Sequence, residues 1–417
     1  MLRLSTEKDK RMHETDANQQ LYKGNLKLSR PIVWYFLLTA ICVFGRQSIF
    51  AALPIPEIVY DAARYGIPLL LFLLAMPYVK RRFHIWLFGL EVFFATSYAF
   101  SYLRGYMIQE NILAYCVITL LLCIPALIAT ASMDDYEVLY KGLKIASFPI
   151  AVIVIIHLFS PENASLYSMA GAYQLVFTGS IHYNEVFRSK KNKWFYAVFV
   201  VVELVSIFVR GARGPLLCLI AFIAVKTILE LRNNRKALVL SFIGILGLFV
   251  AAQNISGIMS WIGVRLNTAG LYSRNFQYLL SNAILNDSGR SVFRDKAIEL
   301  IWQNPLIGYS ASSDVKLLGG QYTHSLPIEL MFDFGILVGG VIFAFITIHV
   351  IHSFFIPQGT EKDLRFIMLT HGYLMLFFSG TYLQSVYLFI FIGMAISSKY
   401  RFRIRANRLA NNRKVAV

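Results

Sequence analysis

The sequence predicts an all-α polytopic integral membrane protein of about twelve transmembrane helices, with one long extracytoplasmic loop that contains short helices of its own. Three observations predict it. Hydrophobic residues make up 57% of the chain and charged residues 15%, with a mean hydropathy of +0.57. Soluble domains hold nearer 45–50% apolar and about 25% charged residues. Apolar stretches of roughly 20 residues recur along the chain, each long enough to cross a bilayer core of about 30 Å. Lys and Arg, finally, collect in alternate connecting segments.

Residues 1–30 are polar and lack the apolar core of a signal peptide, so they read as a cytoplasmic tail and the first hydrophobic segment as a retained anchor. Helices one to nine occupy 31–256, with spans at 33–52, 62–79, 84–103, 111–131, 144–160, 166–183, 194–209, 214–230 and 237–256. The sixth is the least apolar, because GAYQLVFTGS interrupts it. Residues 257–324 form the long outer loop. Helices ten to twelve follow within 325–398, at 326–352, 365–381 and 384–398, and 399–417 are a basic cytoplasmic tail. Cys42, Cys116, Cys123 and Cys218 all fall in apolar runs and read as packing residues, without disulfide or metal-ligand spacing.

With both termini inside, 29 of the 40 Lys and Arg fall on the inner side and 11 on the outer, the asymmetry that the positive-inside rule expects. The formal charge of +17 is therefore topology plus attraction to anionic inner-leaflet lipid, with no nucleic-acid partner implied. The terminal KYRFRIRANRLANNRK reads as a lipid anchor.

The outer loop is too apolar to be disordered. Within it, GRSVFRDKAIELIWQ (289–303) predicts a helix stopped by Asn304 and Pro305. Phe293, Ala297, Leu300 and Ile301 share one side, with Asp295 and Glu299 opposite. Arg290 and Arg294 fall on the apolar side, placed either to snorkel at the membrane surface or to aim cations into a cavity.

Two further stretches hold candidate chemistry. In FVRGARGPLLC (208–218), Glu203, Ser206, Arg210 and Arg213 follow at helical spacing, and both arginines reach an outward turn broken by Gly211, Gly214 and Pro215. Arginine at a membrane boundary is costly; paired guanidinium forks beside glycine suit phosphate oxygens. In the second, a Gly/Ser-rich loop ends at His324, after which Ser325 can cap a helix with Pro327 in its first turn. Of eight histidines, only His324 lies in the outer loop, although His157 approaches that side from inside a span. A helix N-terminus and nearby arginines favour a neutral imidazole, able to accept a proton from a hydroxyl. Glu329 and Asp333, one turn apart, are placed to hold His324 or an arginine, or to pair structurally.

These stretches resemble the bacterial O-antigen ligase and polymerase superfamily. GARGPLL (211–217) is similar to its S-x-R-G-x-x-L turn, SGRSVFRDKAIELIWQNPLIGYS (288–310) to its G-R…P-L-x-G segment, and THSLPIELMFDFGILVGG (323–340) to its H-S/N-x-x-L-E…G-x-x-G block. The resemblance implies a GT-C-like membrane glycosyltransferase of the bacterial inner membrane, with its active site facing the periplasm or cell exterior. Its donor would be an undecaprenyl-diphosphate-linked oligosaccharide. Carried over by motif, Arg213, Arg290 and His324 are the catalytic residues; Arg210 joins them on spacing alone. Arg294, Arg274, Glu329 and Tyr322 complete the expected substrate-binding set.

The reaction implied is metal-independent and inverting, because a diphosphate is already a good leaving group and no outer carboxylate cluster has metal-site spacing. No cofactor is expected. A compact outer loop favours a polymerase joining O-antigen or capsular repeat units. A ligase moving finished glycan to lipid A core or another acceptor is the alternative. A lipid-linked oligosaccharide flippase would need two similar halves, and the sequence shows no such halving. A chain-length regulator and a flippase are the expected protein partners of the polymerase.

Overall fold

A computed structural model describes residues 2–107, 109–160, 168–210, 213–231, 265 and 289–397, with side chains from residue 19 onward except 109–113 and 210. Among the described residues every regular element is helical. In chain order they are α1 (Leu2–Thr39, continued by a π-helical turn at Ala40–Gly45), α2 (Glu57–Ala75), α3 (Arg81–Leu103) and α4 (Gln109–Ile118). A π-helical turn at Thr119–Cys123 leads into α5 (Ile124–Ser132), followed by α6 (Glu137–Phe159), α7 (Met169–Arg188), α8 (Lys193–Arg210) and α9 (Arg213–Leu231). The remainder are α10 (Arg290–Gln303), α11 (Asp314–Leu317), α12 (Leu326–Phe355), α13 (Thr360–Leu369, prolonged by short turns to Phe377) and α14 (Val386–Ser397).

This is the architecture of a helical membrane protein. Among the described residues seven helices are long and apolar enough to cross a bilayer: Gln19–Gly45, Glu57–Tyr78, Arg81–Leu103, Ala114–Ser132, Glu137–Phe159, Arg213–Leu231 and Leu326–Phe355. That is fewer than the twelve expected. The sixth, seventh, eleventh and twelfth expected spans are helical (α7, α8, α13 and α14) but too polar or too short to be counted with the seven. The ninth, 237–256, and the basic tail lie outside the described residues. The polar start of the chain also differs from a plain tail, since α1 runs without a break from Leu2 into the first span.

Helix α7 explains why its own sequence looks too polar for lipid. It packs against α6, α8 and α9, and Gly171–Tyr173 and Leu175–His182 are buried on all sides. Thr178, Ser180, His182 and Asn184 are consequently surrounded by protein, where hydrogen bonds can satisfy them. The lipid-facing helices show the opposite pattern: on α3, Ile85, Phe88 and Leu103 are largely exposed.

The ends of the bundle differ in chemistry. At one end, where α7 finishes and α6 begins, Lys144 meets Glu185 at 2.5 Å and Arg188 meets Glu137 at 3.3 Å. There Asp363 takes both Lys226 (2.6 Å) and Arg188 (3.0 Å), and Lys80 takes Asp134 (2.6 Å). At the other end, where α7 and α9 begin, lie α10, α11 and the residues before α12. The Lys316 ammonium donates to the Gly105 carbonyl after α3 (2.5 Å), and the Ala311 amide to Ser97 Oγ (2.9 Å).

Helix α12 is two helices. Gly335 (φ 78°, ψ 167°) breaks it, leaving 326–334 as a short arm and 336–355 as a 20-residue arm that spans about 30 Å by itself. The break frees carbonyls that the preceding loop takes up. The Tyr309 amide donates to Phe332 O (2.8 Å), the Ser310 amide to Asp333 O (2.8 Å), and the Ile336 amide to Pro305 O (2.7 Å). The span expected at 326–352 is present as Leu326–Phe355, with this break inside it. Its first third belongs to the site end of the molecule and carries Glu329 and Asp333.

Candidate functional site

Five pieces of chain converge where α7 and α9 start. Helix α9 opens with the half-buried Arg213, and Gly214 abuts both Tyr173 of α7 and Phe378: a β-carbon there would stand 2.7 Å from the Tyr173 hydroxyl oxygen and 3.4 Å from Phe378 Cβ. Helix α10 begins at Arg290 after Gly289, whose φ of 79° only glycine adopts freely. Arg290 reaches across to donate from Nη1 to the Phe378 carbonyl at 2.5 Å. The next residue, Ser379, shares a hydrogen bond with the Tyr322 hydroxyl at 3.1 Å and donates to Met169 Sδ at 3.0 Å.

The Tyr322 ring lies against the His324 imidazole, with centroids 4.0 Å apart. His324 is 8% exposed and sits in left-handed backbone (φ 53°) just before α12. Burial, then the charges of Arg290 and Arg294, push its pKa down to about 4. The ring is therefore neutral at ordinary pH, and its buried Nδ1 has no hydrogen-bond partner. The Nε of Arg294 is likewise buried without one. Of the two placements open to the α10 arginines, the structure selects the inward one: Ala297 and Ile301 on the same helix face are buried against Tyr309, Leu318 and Phe332.

The loop between α10 and α12 is held by its own strain and by one acid. Ser310 (φ 76°), Ser312 (φ 65°) and His324 all lie in left-handed backbone, which non-glycine residues reach only at some energetic cost. Asp314 accepts from the Val315 amide (2.9 Å) and the Thr323 amide (3.4 Å), tying α11 to the residue before His324. Burial pushes its pKa up to about 6.

Several expected residues stand elsewhere. Glu329 is 1% exposed, and its carboxyl group accepts from Thr381 Oγ1 and the Tyr382 amide, which places it at the 381–382 turn. Asp333 accepts from the Tyr382 hydroxyl (2.7 Å). Ser325 precedes α12 with Pro327 in the first turn, yet its side chain makes no cap hydrogen bond. The stripe from Glu203 to Arg213 is not one helix face, because α8 ends at Arg210 and Arg213 starts α9. Glu203 bonds instead to His182 Nδ1 at 3.0 Å, and His182 Nε2 to Ser147 Oγ at 3.0 Å. His157 lies against Phe44, ring centroids 5.2 Å apart. The Arg210 side chain and the whole of Arg274 lie outside the described residues.

Sequence reasoning missed Tyr173, Ser379 and Asp314. The signal for Tyr173 was its position in GAYQLVFTGS, the stretch too polar for a lipid-facing helix. Among the described residues no group of three or more His, Cys, Asp or Glu could hold a metal ion, and Cys42, Cys116, Cys123 and Cys218 are free thiols.

What the site offers is three guanidinium groups (Arg213, Arg290 and Arg294), a neutral imidazole with an open nitrogen, and the N-terminus of α9. Such a set binds anions and can accept a proton. Comparison with family models, with curated proteins and with solved structures finds no match to this chain.

Proposed function

We propose that this protein is a membrane glycosyltransferase that polymerises undecaprenyl-diphosphate-linked oligosaccharide repeat units into O-antigen or capsular polysaccharide, with its site end facing the cell exterior. The observation that carries this reading is the placing of Arg290 and Arg294 around a neutral His324. The order of the three motif stretches in the sequence supports it.

In this reading an acceptor sugar hydroxyl of a second lipid-linked unit attacks the anomeric carbon of the donor. The new C–O bond forms as the C–O bond to the diphosphate breaks, and undecaprenyl diphosphate leaves with the bonding pair. The hydroxyl proton passes to His324, which is neutral and has an open Nδ1 to accept it, although its lowered pKa makes it a weaker base than an ordinary imidazole. Negative charge grows on the departing diphosphate, so fixed guanidinium donors stabilise the transition state more than the ground state. Arg290 and Arg294 fill that role, with Arg213, and Arg210 beside it in sequence. Single displacement inverts the anomeric centre.

Mass analysis of surface lipid in a deletion strain tests the assignment. Single repeat units mean a polymerase. Full-length polymer stalled on undecaprenyl diphosphate means a ligase, and substrate trapped on the inner face means a flippase; either outcome removes the polymerase reading.

A further inference from the structure

Tyr173 is 6% exposed, and its hydroxyl has no hydrogen-bond partner. A buried hydroxyl left unsatisfied destabilises a protein, and such groups call for an explanation. The geometry around it supplies one. The hydroxyl lies over Gly214 in the first turn of the 19-residue α9, so closely that a β-carbon there would stand 2.7 Å from it and push the phenol aside. First-turn amides have no acceptor inside their own helix. Arg290, which bonds to Phe378 O on the other side of Gly214, is within electrostatic reach of both Tyr173 and His324. Apart from the Phe378 carbonyl, which Arg290 already engages, the groups that meet at this point are donors or positive: a phenol O–H, helix-terminal amides and a guanidinium. The missing partner is therefore an acceptor with several oxygens.

We propose that the Tyr173 hydroxyl and the first turn of α9 form a phosphate subsite, taking one phosphoryl group of a diphosphate whose other phosphoryl group meets Arg290. This rests on the glycosyl-transfer reading and adds to it a ligand that no motif indicates. It also gives Gly214 a function: the missing side chain leaves room for the phenol to reach the helix terminus. A diphosphate carried on a lipid and a free diphosphate share this chemistry.

The test is calorimetric titration of the full chain in nanodiscs with farnesyl diphosphate, inorganic pyrophosphate and farnesol. Wild type binds farnesyl diphosphate and not farnesol. Pyrophosphate bound as tightly indicates a free diphosphate as ligand; pyrophosphate bound weakly indicates a lipid-borne one. Tyr173→Phe weakens farnesyl diphosphate at least about tenfold, the effect of losing a hydrogen bond to a charged group. It also raises the melting temperature of the ligand-free protein, because an unsatisfied hydroxyl is gone. Gly214→Ala weakens binding in the wild-type background and less in Tyr173→Phe, where the clash is relieved. If Tyr173→Phe binds normally while Arg290→Ala does not, Tyr173 is no ligand and the diphosphate reading survives. If Tyr173→Phe lowers the melting temperature, its hydroxyl is structural and the subsite is refuted. If wild type binds neither diphosphate, both proposals fall.

Discussion

Gly308 and Gly335 meet backbone to backbone: a β-carbon on Gly308 would stand 2.6 Å from the Gly335 amide nitrogen and 2.6 Å from Phe332 O. Both have positive φ, 72° and 78°. Through this contact the NPLIG loop after α10 docks into the break of α12, joining the segment that carries Arg290 to the segment that carries His324. Gly319 provides a matched control, with φ 71° and nothing within 4 Å. Gly319→Ala should cost about 1–2 kcal/mol, the left-handed penalty alone. Gly308→Ala should cost about 3 kcal/mol or more, since backbone must part from backbone. Thermal melts of the two variants check this; equal losses would show that the loop is not docked as described.

His324 sets an acid limit. The folded-state pKa, pushed down from 6.5 to about 4, means that the unfolded chain takes up a proton between those values while the folded chain does not. Stability from this residue is present above pH 6.5 and falls as pH drops toward 4. Removing a neighbouring positive charge in Arg290→Ala should raise the pKa toward 6.5 and move the acid limb of activity upward with it. An NMR titration of the imidazole follows both proteins. Transfer itself should be lost in His324→Ala, with expression and lipid-linked substrate binding retained.

On the proposed function, in which Arg213 holds the diphosphate, Arg213→Ala should weaken substrate binding and turnover together, because such a group acts in both states. Arg213→Lys keeps the charge and loses the planar fork, and turnover should fall. Full activity of Arg213→Lys in a transfer assay would remove the argument for bidentate recognition.

His182 and Glu203 form a buried pair, each 0% exposed, locked to Ser147. Replacing one partner leaves the other buried without its mate, at a cost of about 3–5 kcal/mol. Glu203→Leu should therefore destabilise strongly, and His182→Leu with Glu203→Leu should cost less than the sum of the two. Additive losses in a double-mutant cycle of melting free energies would mean the pair does not couple.

The helical membrane class was legible because apolar length is a local property: a run of twenty such residues reads the same in any context. The resemblance singled out Arg213, Arg290 and His324, and the inward side of Arg290 and Arg294 was one of two readings the sequence left open. It left the partners of Glu203 and Glu329 open for a physical reason. A carboxylate in an apolar run announces that it needs a partner, but which partner depends on neighbouring helices. His182 and Thr381 lie 21 and 52 residues away in sequence from the acids they serve. Helix α7 was weak for the same reason, since a helix enclosed by three others can hold polar side chains that lipid would not tolerate.

By itself the sequence determined that the chain enters the membrane as apolar helices. The tertiary structure alone decided that α12 is two helices docked by a glycine pair, that the His324 ring is buried with an open Nδ1, and that Tyr173 reaches the start of α9. Each of these depends on what stands within a few ångströms across helix boundaries, where burial and Coulomb forces act and chain order carries no information.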